Sequence, residues 1–142
     1  MAKNKDAPLR QCRITKWLDG DTFDAEVLLS LTEHIDLSDL GIAKPFEVTV
    51  SLAPPVRIRV YGINAPEVHS SDPKEKAAGE AALKQARMLL PEGITVLAKS
   101  AGKEKYDRYM ANVTMPDGKD FAETMKRAGH ARSYYGGKKE PL

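Results

Sequence analysis

Apolar and polar residues alternate with a period of two in several short runs of this chain, and with a period near 3.6 in two others. CRITKWL, residues 12–18, reads as a strand. In the next run, TFDAEVLLSL, Phe23, Ala25, Val27 and Leu29 alternate with Thr22, Asp24 and Glu26, the pattern of a half-buried strand. Asp19-Gly20 between the two predicts a tight hairpin. FEVTVSL, residues 46–52, is a third run, broken by Pro54-Pro55, neither of which can donate to a ladder. VRIRVYGI then puts Val56, Ile58 and Val60 on one face and Arg57, Arg59 and Tyr61 on the other. ITVLAK and YMANVTM supply a fourth and a fifth strand, the last closed by the turn MPDG.

Two stretches carry the helical period. Asp72 fits an N-cap, Pro73 the first helical position, and Glu75 stands three residues after the cap, as in a capping box. Ala78, Ala82, Ala86 and Leu89, with Leu83 and Leu90 beside them, form an apolar stripe that Pro91-Glu92-Gly93 ends. FAETMKRAG is a short second helix, with Phe121, Met125 and Ala128 inward and Gly129 as its stop. Counting FEVTVSL and VRIRVYGI as one interrupted run, five short strands, with a helix between the strand ending near Ile63 and the strand starting near Ile94, predict a small Greek-key barrel of the OB type. The fold class is thus a β-barrel with helices, α+β, in one domain over residues 1–142. Residues 31–46 are acidic and irregular, with Gly41 and Pro45, and read as an inserted loop. Residues 1–9 and 137–142 are expected to be flexible.

Charge changes this picture modestly. The net charge of +2 argues only weakly for a polyanionic partner, but its distribution is uneven. Residues 1–17 hold five Lys/Arg against one Asp, residues 18–98 seven against thirteen Asp/Glu, and residues 99–139 ten against five. Basic ends around an acidic middle suit a polyanion plus a cation, or are simply scattered solvated charge. The single cysteine, Cys12, excludes an internal disulfide framework and reads as a small buried hydrophobe. No apolar run reaches the length of a membrane span, so no membrane partner is expected. The expected location is the cytoplasm if the sequence is full length, and outside the cell if a leader was removed. Oligomeric state is unreadable at this level.

Four segments carry candidate chemistry. DGDT, residues 19–22, is turn chemistry as far as Asp19-Gly20 goes, but Asp21 adds a second carboxylate whose repulsion a cation would offset. RVYGINAPE, residues 59–67, is either a strand exit with an exposed Glu67 or one wall of a charged site. KYDRY, residues 105–109, is by itself a charged strand start. HARSYYGGKK, residues 130–139, reads alone as a disordered tail.

Taken in this order, the four resemble the staphylococcal-type nucleases over about residues 12–139. WLDGDT resembles that family's hairpin, RIRVYGINAPE its R-x4-[DN]-x-P-E segment, KYDRY its D-K-Y-G-R strand start, and HARSYYGGKK its tail. The resemblance implies a five-stranded OB barrel that hydrolyses DNA and/or RNA phosphodiesters with one Ca2+ per site, other divalent metals being possible. It implies attack that breaks the 5′ P–O bond and leaves 3′-phosphate ends. By matched position, Asp21, Asn64 and the backbone carbonyl of Ala65 would hold the metal, with Asp19 close behind. Glu67 would orient or deprotonate the attacking water, and Arg59 and Arg108 would bind the phosphate. Lys105, Tyr106, Tyr134 and Tyr135 would line the nucleotide pocket. The residue types agree: a hard cation takes oxygen ligands, forked guanidinium donors match phosphate oxygens, and Pro66 fixes the backbone that aims Glu67.

The chain also departs from the staphylococcal pattern. Asn64 stands for an Asp, removing a ligand charge and predicting weaker Ca2+ binding. Ala65 stands for a Thr, and Asp107 for a Gly beside Arg108. The chain ends soon after the tyrosine pair, so the family's final helix is expected to be missing. His34, His69 and His130 match no catalytic position, and His34 and His69 are expected at the surface. Two alternatives to a Ca2+-dependent, sequence-nonspecific nuclease stay open: an OB-fold nucleic-acid-binding module that is catalytically weak or inactive, and a protein-interaction barrel.

Overall fold

The computed structural model describes residues 7–103 and 108–135, the side chains of Lys103 and Arg108 apart. In chain order the elements are β1 (Leu9–Asp19), β2 (Thr22–Val27), β3 (Leu29–Ile35), a 3-10 turn (Ser38–Leu40), β4 (Phe46–Leu52), β5 (Pro55–Val60) and β6 (Gly62–Asn64). Then come α1 (Pro73–Leu89), β7 (Thr95–Lys103), β8 (Arg108–Thr114), α2 (Phe121–Arg127) and β9 (Arg132–Tyr134).

The five-stranded barrel expected from the alternation is present. It is closed in the order β1-β2-β5-β8-β7, with β7 returning to β1. All its pairings are antiparallel except β5–β8, where Arg57 lies opposite Arg108 and Arg59 opposite Met110 in a parallel ladder. Parallel neighbours need a long connection, and α1 and β7 lie within it. The inward positions of β1, β2 and β5 fill the barrel with Ile14, Phe23, Ala25, Ile58 and Val60. Trp17 closes that core at one end. Its indole N–H donates to the Leu90 carbonyl at 2.8 Å, and its ring meets Phe23 and Phe121 with centroids 4.9 and 5.3 Å apart.

Helix α1 begins where expected, with the Asp72 carboxylate accepting from the Lys74 amide at 3.1 Å and Pro73 following it, but the capping box does not form: the Asp72 amide donates to Ser70 Oγ at 3.2 Å rather than to Glu75. Its buried face is small, made of Gly79, Ala82 and Ala86, so its axis sits close to the barrel end. In α2 the Asp120 carboxylate accepts from Glu123, and Phe121, Ala122 and Met125 are buried. Ala128, expected to point inward, is the exposed C-cap, and Ala122 takes the inward place.

Two expectations are corrected. FEVTVSL is not a barrel strand, and residues 31–46 are not irregular throughout. Leu29–Ile35 and Phe46–Leu52 pair as a two-stranded arm that leaves the barrel, the 3-10 turn lying in its tip. The arm prolongs β2 and β5 in one register: Glu26 faces Pro55, the Val27 amide donates to the Pro54 carbonyl, and Leu29 faces Leu52. Acidic composition hid the alternation of 29–35, and Pro54-Pro55 interrupts the ladder without redirecting it. Part of the expected flexible start is also paired, Leu9 facing Lys99. Among the described residues no helix is long and apolar enough to cross a membrane.

Candidate active site

The site forms where the β1–β2 turn, the end of β5 and the segment after β6 meet beneath α1. Asp19 faces Thr22 across a two-residue turn of Gly20 and Asp21. Gly20 is needed here for closeness rather than for turn handedness. A Cβ on it would stand 3.0 Å from the Ala82 Cβ and 3.2 Å from the Ala65 Cβ, and its φ is not positive.

Asp21 is buried, 5% exposed, and both oxygens of its carboxylate have partners. Oδ1 accepts from the Thr22 hydroxyl at 2.8 Å, and Oδ2 accepts from the Ala65 amide at 2.7 Å. Arg59 Nη1 lies 3.4 Å from Oδ2. That guanidinium is buried too, donating through Nη1 to the carbonyls of Ile63 at 2.8 Å and Val60 at 3.1 Å, and through Nη2 to Asn64 Oδ1 at 3.3 Å. Three acceptors and one ion-paired carboxylate thus fix one fork, which removes most of the rotamer freedom an arginine would lose on binding an anion. Arg57, two residues earlier on the same strand, is spent elsewhere. Its Nε and Nη2 bond the two oxygens of Asp24 at 2.7 and 3.1 Å.

Glu67 is exposed, in the loop that follows these groups. Asp19 Oδ1 accepts from the Val68 amide at 3.0 Å, tying that loop to the hairpin. Burial pushes the Asp19 carboxyl above its ordinary range; the Val68 amide opposes this, and the charges of Asp21 and Glu67 add to it. Asp19 therefore lies near enough to both Asp21 and Glu67 to be repelled by each.

Of the expected metal ligands, Asp21 and Asn64 meet around the Arg59 guanidinium, and Ala65 reaches Asp21 through its amide N–H rather than through the carbonyl named as a ligand. Arg59 joins them, and Asp19 and Glu67 flank them. Arg108 is brought only to a register position, opposite Arg57 on the strand beside Arg59. Lys105 and Tyr106, and Asp107 with them, lie outside the described residues. The tail through Tyr134 pairs with β6, Tyr134 facing Gly62 and Arg132 facing Asn64. Tyr135 packs over Gly62, where a Cβ would meet its ring at 3.2 Å, and stands edge-on to Tyr61 at 5.5 Å. These two rings border a polar cavity of about 220 Å3 that also touches Asn112, Asp120 and Lys126. Sequence reading gave no role to Tyr61 or Gly79. Tyr61 carried a signal, an aromatic on the same outward face as Arg59, whereas nothing in the string marks Gly79 as a contact of the Glu67 loop.

A family model described as staphylococcal nuclease homologue matches residues 57–141, more than half of the chain. The chain belongs to the staphylococcal nuclease homologue family. No curated protein matches it. The staphylococcal nuclease match begins at Arg57 and so spans Arg59, Asn64, Glu67, Arg108 and the tyrosine pair, but not Asp19 or Asp21. Asp21 enters the site by geometry, through its bonds to Ala65 and Arg59. Members of the family are generally nucleases, act on nucleic acid, and usually use Ca2+.

The oxygen set fits such a cation in kind. Asp21 and the Asn64 amide are hard donors, Asp21 Oδ1 and Asn64 Oδ1 each keep a lone pair beyond the hydrogen bond they accept, and the charges of Asp21 and Glu67 that bear on Asp19 are what a cation would offset. Among the described residues no three His, Cys, Asp or Glu side chains form a ready-made cage. A cation here would rest on one carboxylate with neutral oxygens and water.

Proposed function

We propose that this protein is a divalent-metal-dependent, sequence-nonspecific phosphodiesterase that cleaves DNA and/or RNA, with Ca2+ as its usual metal. The observation that carries the reading is the Arg59 fork, buried and aligned by two backbone carbonyls, Asn64 and Asp21, with the solvent-facing Glu67 in the adjoining loop. A phosphodiester passing to its transition state gathers charge on its equatorial oxygens, and a preset guanidinium meets that charge without reorganising. In this reading Arg59 takes one phosphate oxygen and Arg108, from the neighbouring strand, takes another. Glu67 accepts the proton of the attacking water, for which its exposure suits it. Asp21, the Asn64 amide and the Ala65 carbonyl would hold the cation, which when bound supplies positive charge against the phosphoryl oxygens. Asp19 holds the Glu67 loop through Val68. Tyr61 and Tyr135 offer ring faces to a base, which gives stacking without sequence preference.

The test is digestion of plasmid, single-stranded DNA and RNA with Ca2+ and with a chelator. Cleavage should need the metal and fall by orders of magnitude in Glu67→Ala and Arg108→Ala. Absence of metal-dependent cleavage, or variants as active as the parent, overturns the reading.

A second reading has its own observation. Arg59 already sets a positive charge beside Asp21, and Asn64 is neutral, so the carboxylate is compensated with no cation bound. That arrangement suits a nucleic-acid-binding OB module without catalysis. It predicts salt-dependent binding of a fluorescent single strand with no cleavage in any metal.

A further inference from the structure

The arm β3–β4 has one polar face and one apolar face. Register pairs Ser30 with Ser51, Thr32 with Thr49 and His34 with Glu47 on the first. There the threonine hydroxyls lie 3.0 Å apart, and His34 stands 3.7 Å from Glu47. On the other face Leu29 meets Leu52, Leu31 meets Val50 and Ile35 meets Phe46. Leu31 and Phe46 are 57% and 58% exposed, and of twelve large apolar side chains exposed among the described residues, seven lie in the arm and its tip. A two-stranded ribbon is marginal in water without a layer on its apolar side. Because the register is shared with β2 and β5, this face continues the barrel's inward positions beyond its open end. There it adjoins a cavity of about 180 Å3 lined by Val27, Val56 and Ile58.

We propose that the arm is the contact surface of a homodimer, two arms packing face to face and antiparallel about a two-fold axis. Area supports it. At roughly 100 Å2 each, the five exposed apolar side chains of this face offer about 500 Å2, the upper range of an ordinary monomer's largest patch, and Leu40 and Ile42 of the tip bring the total toward the ~800 Å2 each partner gives a standard interface. A single self-complementary stripe is what an isologous contact requires. Charge selects the direction. The arm and tip hold Glu33, Asp36, Asp39 and Glu47 against Lys44, with both aspartates at the tip. At the root, Arg10 borders the barrel cavity. Antiparallel arms set each acidic tip over the partner's Arg10, whereas parallel arms would set tip against tip. The same acidity disfavours nucleic acid or an anionic lipid surface as the cover. The contact leaves the candidate active site free, since β2 runs from Thr22 at that site to Val27 at the arm's root.

Sedimentation of the full chain from micromolar to several hundred micromolar should show a reversible monomer–dimer equilibrium. Leu31→Asp with Phe46→Asp should stay monomeric throughout while melting with the wild-type transition, because both side chains are exposed. Glu33, opposite Val48, is the one charge on the apolar face, and Glu33→Leu should tighten the dimer by roughly tenfold or more, one buried leucine replacing a charge. Near the axis, Val50→Cys should form a disulfide-linked dimer under mild oxidation and Phe46→Cys should not; the native Cys12 is buried and does not compete. A wild-type chain that stays monomeric over the whole range, or a double Asp variant that associates as wild type does, overturns the proposal. So does a monomer that floats with phosphatidylcholine vesicles, which would give the arm to a lipid surface.

Discussion

Gly79 of α1 lies directly against the peptide of Glu67. A Cβ at position 79 would stand 2.6 Å from the Glu67 carbonyl carbon and oxygen and 2.8 Å from the Val68 nitrogen. Backbone cannot yield as a flexible side chain would, so the helix fixes how far the Glu67 loop can settle onto the barrel. Gly79→Ala gains about 1 kcal/mol of helix propensity, yet it must push that loop outward. Cleavage should drop by on the order of a hundredfold, the usual consequence of a misplacement near 1 Å, with a much smaller proportional change in melting temperature. Parallel activity and melting measurements check this, and an Ala variant of undiminished activity would show that the loop adapts.

The neighbouring arginines of β5 should respond in opposite ways. Arg57 pairs with Asp24 at the surface, and such pairs contribute about 0–1 kcal/mol. Arg59 is the buried partner of Asp21, and its removal strands a carboxylate that is 5% exposed. Arg59→Met should cost about 3 kcal/mol or more, and Arg57→Met should be near neutral, by urea unfolding without metal. Equal losses would mean that Asp21 is solvated when the fork is gone.

Asn64→Asp restores a ligand charge beside Asp21. Calcium should then bind more tightly, roughly tenfold or more, as ligand charge count sets affinity. The metal-free protein should melt lower, because a further carboxylate joins a cluster that already repels Asp19. Calorimetric titration with Ca2+ and a melting scan in chelator read the two effects separately. Unchanged affinity would remove position 64 from the metal's ligands.

Cys12 provides a pH dependence with a definite sign. Burial pushes its thiol above the ordinary 9.0, with Arg10 opposing. The unfolded chain therefore ionises this thiol first, so the stability tied to the neutral thiol is complete below 9.0 and is lost as pH rises through the higher folded value. Wild type should exceed Cys12→Ala in melting temperature at neutral pH, and the gap should narrow above 9.0. A constant gap would mean that the thiol is not shielded.

The barrel was legible because inward positions such as Val56, Ile58 and Val60 leave a period of two in the string. Alternation names a face but not its neighbour, which is why the parallel partner of β5, fifty residues away in sequence, was not readable. The arm was misread for a related reason. Leu31, Ile35 and Phe46 alternate as core residues do, but Glu33 and the acidic tip dilute the signal, and no barrel wall faces them. In the site, carboxylates and arginines stood out by type, whereas Gly79 acts through an absent side chain and leaves no chemical mark.

The pairing of β1 with both β2 and β7 has a consequence during synthesis. Asp21, Arg59 and Glu67 leave the ribosome early, but the ring cannot close until Thr95–Lys103 has emerged to meet Leu9–Arg13, and Arg108 comes later still. A nascent chain thus carries Asp21, Arg59 and Glu67 of the proposed machinery before the barrel that aligns them is closed. If the proposed activity holds, the messenger being translated, the nucleic acid nearest to the emerging chain, meets the assembled site only after Arg108 has joined the barrel.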